Sequence, residues 1–191
     1  MLLLFHKPYR VLSQFTDPQG RATLAAYIQT PGLYPAGRLD YESEGLLLLT
    51  DDGALQQRLS DPRFEHPKTY YAQVEGDITA AALKNLLNGV ALRVSPSHNR
   101  SIKSEQIFRA QHIVPLPQLP PEILPRPVRA YHPTPWLQIT LTEGKKHIVR
   151  RLLAAVGLPV LRLVRWQMGS FTLSGLLPGE ARSAAREGSK T

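Results

Sequence analysis

The sequence predicts an α+β fold with a mixed sheet, and three observations carry that reading. Strand-like runs such as LLLF, LLLL, KTYYAQV and WLQITL interleave with helix-like stretches, and no regular βα repeat joins them. At 191 residues, 42% hydrophobic and 20% charged, the chain is an ordinary globular sequence able to bury a sizeable core. No internal repeat divides it, so residues 1–182 are expected to form one domain of two lobes, with 183–191 a flexible tail.

Leu2 to Phe5 opens the fold as a strand, which Pro8 breaks. Asp17, Pro18 and Gly20 supply turn chemistry before a short helix with Leu24 and Ile28 four apart. LYPAGRLD leads through an exposed turn to Gly45 and a buried strand of four leucines, Leu46 to Leu49. Asp52 is placed to cap a helix carrying Leu55 and Leu59. KTYYAQVEG alternates as a strand. The helix after it is capped by Thr79, turns Leu83, Leu86 and Leu87 to the core, and stops at Asn88-Gly89. Residues 101–109 read as a further strand. Eight prolines between Gln111 and Pro135 exclude a helix or central strand. The 111–135 segment is therefore a long, stiff surface excursion, whose Arg126 and Arg129 favour contact with a partner. WLQITL alternates with period two, and residues 159–173 add one or two strands.

The absence of cysteine removes disulfides and thiolate chemistry and suits a reducing cytoplasm. The six histidines show no paired metal-ligand spacing. No run has the length of a membrane span or the pattern of a secretory signal. A cytoplasmic protein without metal or membrane contact is expected, and nothing in the sequence indicates an oligomer, so a monomer is expected too. The charge is uneven. Residues 1–98 hold nine lysines and arginines against ten acids, whereas residues 99–191 hold fourteen against five. A half so basic suits a polyanion, nucleic acid above all.

The basic charge peaks in KKHIVRRLLAAVGLP. Val149, Leu152, Leu153 and Val156 form one helical face. Lys146 and Arg150 line up four apart on a more exposed side, as do His147 and Arg151, and Arg162 and Arg165 follow on the next strand. No acid interrupts this cluster from Lys145 to Arg165, so the cations repel one another unless an anion neutralises them.

Five acids crowd the leucine strand. Glu42, Glu44, Asp51 and Asp52 read as solvated loop charges, whereas Asp40 sits at the mouth of a rigid strand, where a functional group is well positioned. A carboxylate beside a guanidinium stays ionised and can attack an anomeric carbon. On nucleic acid that carbon belongs to the nucleoside C1′–N bond, which is reached only by extruding the nucleotide and stacking it on an aromatic ring. Tyr70 and Tyr71 are the candidates.

Four motifs in order give a family resemblance: HKPYRVLSQFTD with GRATL, AGRLDYESEGLLLLTDDGAL, KTYYAQVEG, and EGKKHIVRRLLAAVGLPVLRLVRWQMG followed by LLPGEAR. They resemble the pseudouridine synthases of the ribosomal small-subunit pseudouridine synthase A type, over about Leu3 to Arg182. The resemblance implies that family's catalytic fold: a mixed, mostly antiparallel sheet with flanking helices and a central active-site cleft. It implies Asp40 as catalytic aspartate, Tyr70 as the ring that stacks on the target base, and Arg150 as the ion-pair partner of Asp40. Arg38, Lys68, Lys145, Lys146, His147, Arg151, Arg162 and Arg165 are the RNA-binding candidates. The reaction implied is cofactor-free isomerisation of uridine to pseudouridine, with the aspartate acting at the ribose either as nucleophile or as base. The sequence is most similar to members that act on the large subunit, so 23S ribosomal RNA is the implied partner. The S4 RNA-binding domain that often precedes this core is not expected, which leaves RNA binding to the core surface and the proline-rich excursion. One departure stands out: the EGKKHIVRR motif carries Ile148 where the family usually has glutamine.

Two other classes fit parts of the pattern. A ribosome-assembly module would keep the basic surface without chemistry, but Asp40, Tyr70 and Arg150 are all present. A glycoside hydrolase needs a second carboxylate about 5–9 Å from the first, and the basic half suits phosphates better than neutral sugars.

Overall fold

The computed structural model describes residues 1–94 and 104–184. In chain order these form β1 (Leu2–Lys7), β2 (Tyr34–Pro35), β3 (Glu44–Thr50), α1 (Gly53–Ser60), β4 (Lys68–Val74), α2 (Ala80–Asn88) and β5 (Val90–Val94). There follow β6 (Ser104–Phe108), β7 (His112–Pro115), β8 (Trp136–Leu141), α3 (Ile148–Ala155), β9 (Val160–Met168), β10 (Phe171–Thr172) and β11 (Ala181–Ser183). Among the described residues a central sheet runs β11-β1-β3-β9-β4-β8-β7, with β2 beside β3 and β10 beside β9, while β5 and β6 pair separately. Its pairings are antiparallel except β3 against β9. The α+β architecture with a mixed, mostly antiparallel sheet is therefore as the sequence predicts.

The leucine strand is the middle of the molecule. All four leucines of β3 are wholly buried. Successive side chains of a strand point to opposite faces, so Leu46 and Leu48 join one core with Tyr71 and Val164, and Leu47 and Leu49 another with Phe5 and Leu24. A third core lies between α2, α3 and the β4–β8 pair, where Leu86, Leu152 and Leu153 meet Leu137 and Ile139. Gly45 marks where the parallel strands touch: with φ of +106°, a Cβ there would lie 2.4 Å from the Arg165 carbonyl oxygen.

The helix caps hold as read. The Asp52 carboxylate accepts from the Ala54 and Leu55 amides, and the Thr79 hydroxyl from the Ala82 amide. Leu87 is exposed, however, because α2 covers the sheet with one side only, through Ala82 and Leu86. The helix expected at Leu24 is a single 3-10 turn, Leu24–Ala26. Of the strand expected over 101–109, residues 101–103 lie outside the described residues, as does 185–191 of the expected tail.

The proline-rich excursion begins inside a strand. β7 ends at Pro115, which the sheet tolerates because β7 is its edge. Each of its two arginines is paired within the chain, Arg126 largely enclosed and Arg129 still more than half exposed. Arg126 reaches Glu44 (3.3 Å) and lies 3.9 Å over the Tyr9 ring, and Arg129 bonds Glu75 (2.8 Å). Glu122 accepts from the Gly175 amide (2.7 Å), Arg162 donates to the Leu124 carbonyl (3.1 Å), and Ile123 is buried. The excursion is a strap fastened across the sheet.

Candidate active site

The loop from Ala36 to Ser43 reaches β3 from outside the sheet and places Asp40 over one cleft. Its backbone is pinned on both sides of the aspartate. The Ser13 hydroxyl donates to the Leu39 carbonyl (2.9 Å) and accepts from the Leu39 amide (3.1 Å). The Arg10 amide donates to the Tyr41 carbonyl (2.9 Å), and the Ser43 amide to that of Asp40 (3.0 Å). The 10–13 segment is held in turn by Lys7, whose ammonium, wholly buried, donates to the carbonyls of Pro8 (2.9 Å) and Val11 (2.7 Å). Lys7 and Ser13 lie in the HKPYRVLSQFTD motif, but sequence reasoning gave neither a role.

The cleft brings together eight of the eleven site residues expected from the sequence: Asp40, Tyr70, Arg38, Lys68, Lys145, Lys146, His147 and Arg165. Asp40 is the one carboxylate among its described lining residues. Tyr70 forms part of the wall from β4, whereas Tyr71 points to the other face of the sheet and stacks on Trp166, with ring centroids 5.1 Å apart. The alternation of the strand decides between the two tyrosines. Lys145 and Lys146 precede α3 and stand exposed, so they do not continue its basic face as the sequence suggested. Burial and the nearby Arg165 guanidinium push the Lys68 ammonium below its ordinary pKa. Arg165 is buried at the cleft floor; its Nε donates to the Leu46 carbonyl (2.8 Å), and one terminal nitrogen has no protein partner.

The group in contact with Asp40 is His147, whose Nε2 lies 3.1 Å from Oδ1. His147 occupies the N-cap of α3 in a left-handed backbone conformation (φ 55°, ψ 23°) and makes no side-chain cap bond, which frees its ring for the aspartate. Arg150 departs from the expected pairing with Asp40. Its guanidinium donates to the carbonyls of Glu42 (3.0 Å) and Val160 (3.2 Å). Burial lowers the Arg150 pKa, and the Asp40 and Glu42 carboxylates act to raise it, so Arg150 acts on Asp40 through space.

Two cations expected to bind RNA are engaged elsewhere. Arg162 is buried and makes a forked pair with Glu44, Nε to Oε1 (3.1 Å) and Nη2 to Oε2 (2.9 Å). The parallel approach of β9 to β3 puts both side chains under the strap, so neither Glu44 nor Arg162 meets solvent. Arg151 points away from the cleft and donates to the Arg93 carbonyl of β5. Ile148 is buried in the cleft wall and the helical core, where an apolar side chain needs no hydrogen-bond partner.

Lys7 carries a measurable signature. Burial drives its pKa from 10.5 to about 7. Between those values the unfolded chain holds a proton that the folded chain has lost, so the Lys7 contribution to stability rises with pH through that window. Urea unfolding of the wild type minus that of Lys7→Met is expected to grow more favourable to the wild type from pH 7 to pH 10. A difference independent of pH would show that Lys7 keeps its proton in the fold.

Residues 1–155 match the family model described as RNA pseudouridylate synthase. The chain belongs to this family. It is 47% identical over 192 residues to ribosomal large subunit pseudouridine synthase E of Xanthomonas axonopodis pv. citri, covering 97% of each chain. The protein of the same name from Vibrio vulnificus is 46% identical over 179 residues, 94% of this chain and 73% of that one. The crystal structure of a pseudouridylate synthase shares the fold with TM-score 0.73 and 24% identity, over 96% of this chain and 70% of that one. Human RNA pseudouridylate synthase domain containing 1 aligns with TM-score 0.58 and 15% identity, over 87% and 74%. The chain is thus an isomerase of the pseudouridine synthase class, and its fold and its family agree. Among the described residues no helix is long and apolar enough to cross a membrane, and no group of acids and histidines is placed to hold a metal ion.

Proposed function

We propose that this pseudouridine synthase isomerises a specific uridine of ribosomal RNA, in the 23S molecule, with Asp40 as its catalytic group. The observation that carries the reading is the cleft itself: one carboxylate faces Arg38, Lys68, Lys145, Lys146 and Arg165. Such a lining suits a phosphate-bearing substrate, and a glycoside hydrolase would need a second carboxylate beside the first. The relatives named for large-subunit synthases support the choice of 23S RNA.

In the reaction the N1–C1′ bond breaks, the uracil turns, and C5 bonds to C1′. N1 gains a proton and C5 loses one, so nothing is consumed. Asp40 supplies the carboxylate at the ribose, Tyr70 the wall on which the extruded base stacks, and Arg150 and His147 the positive or hydrogen-bonding surroundings of the carboxylate. The enzyme works as a cytoplasmic monomer, with the exposed Lys145 and Lys146 meeting the phosphates beside the target.

Chemical mapping of pseudouridine in 16S and 23S RNA, with and without the gene, tests this. One 23S position is expected to lose its modification when the gene is absent, and purified protein should restore it. Identical maps, with no product from purified protein, would overturn the assignment. Lys146→Ala should lower the slope of log affinity against log salt by about 0.7, the value for one phosphate contact on a single strand. An unaltered slope would remove Lys146 from the RNA path.

A further inference from the structure

A loop at the rim of the cleft carries an aromatic ring that the reaction does not use. Residues 61–67 join α1 to β4, and cleft-lining residues bracket the loop: Leu59 and Ser60 before it, Lys68 and Tyr70 after it. Phe64 stands in this loop with 52% of its surface exposed. Its ring stacks on His66, centroids 6.2 Å apart and planes 24° from parallel. The stack is tied to the cleft wall. The Lys68 ammonium donates to the His66 carbonyl (2.9 Å), a His66 ring nitrogen meets the Arg58 carbonyl (3.1 Å), and the Gly169 amide donates to Pro67 (2.9 Å). Between the two rings Glu65 holds a left-handed backbone (φ 45°), a conformation that costs energy in a residue with a Cβ and gathers at functional sites.

We propose that Phe64, backed by His66, is the platform on which the base of a nucleotide adjoining the target uridine stacks. The inference rests on the RNA substrate proposed above. Extruding one uridine unstacks its neighbours, and a fixed ring at the rim offers one of them a new partner. The surroundings fit a nucleotide: Arg58, Ser60, Arg63 (paired with Asp61) and Glu65, neighbours of Phe64 along the chain, are exposed, and Lys68 holds the His66 carbonyl. A docked protein would need a continuous apolar patch, whereas one ring among charges suits a base face with a phosphate beside it.

The test uses an oligonucleotide carrying the uridine that mapping identifies, and two versions with an abasic site 5′ or 3′ of it. Phe64→Ala is expected to raise KM about tenfold, the scale of one lost stack, with kcat unchanged, and Phe64→Trp to keep the wild-type KM. One abasic substrate should raise the wild-type KM similarly while leaving that of Phe64→Ala unmoved. Fluorescence anisotropy of the same RNAs gives the same cycle without turnover. Equal abasic penalties in wild type and Phe64→Ala, or an unchanged KM in Phe64→Ala, would overturn the platform. An intact binding cycle without pseudouridine formation would instead overturn the proposed reaction.

Discussion

Asp40→Asn is expected to abolish pseudouridine formation, by about 10³-fold or more, while RNA binding holds or tightens. The size follows from the loss of a nucleophile or base that touches the reacting centre. The sign of the binding effect follows from the cleft. Asp40 is its one carboxylate among five cations in the described lining, so removing that charge relieves repulsion toward phosphates. Asparagine keeps an oxygen where Oδ1 meets His147 Nε2, so the loop geometry should survive. Product mapped on ribosomal RNA and anisotropy of bound RNA are the two readouts. Retained product would sink the role of Asp40, and lost binding would mean that the variant had disturbed the cleft as a whole.

Arg162→Ala is expected to cost about 3–5 kcal/mol of stability, because it leaves Glu44 a buried charge whose one remaining ion-pair contact among the described residues is Arg126, at 3.3 Å. For a chain of this size the melting point should fall by roughly 10 °C. Glu44→Ala should do the same from the other side. Replacing both by leucine should recover most of the loss, since a buried pair is replaced by apolar contacts more cheaply than it is broken. The salt dependence of RNA binding should not change in Arg162→Ala measured below its melting point. A lowered salt slope with an unaltered melting point would return Arg162 to the RNA surface.

That second result separates what local patterning carries from what it does not. The four leucines, the Asp52 and Thr79 caps and the alternation of Trp136–Leu141 are set by neighbours in sequence, and all were legible. Asp40, Lys68, Tyr70 and Arg165 were named from the family resemblance, and the fold brings all four to one cleft. Glu44 and Arg162 stand 118 residues apart and meet only through the parallel β3–β9 pair, so Glu44 looked like a solvated loop charge and Arg162 like an RNA-binding cation. Arg126 failed for the same reason. His147 was read as one more helical cation because a left-handed backbone at a helix start leaves no mark in a 3.6-residue period. β5, at Val90–Val94, was hidden because it follows a helix after one glycine, and β7 because Pro115 counted against a strand whose position at the sheet edge was unknown.

Gly45 gives the cleft a fixed gauge. Asp40 lies on the loop that leads into β3 and Arg165 on β9, and the spacing between those strands is set where bare Cα meets backbone, with the Arg165 carbonyl 2.4 Å from where any side chain would begin. Charge and hydrogen bonding can be loosened by salt, protonation or heat, but steric contact between two backbones barely responds to any of them. The width offered to a nucleotide at the cleft floor is therefore a property of close packing, and a single added methyl at position 45 would widen it for every substrate alike.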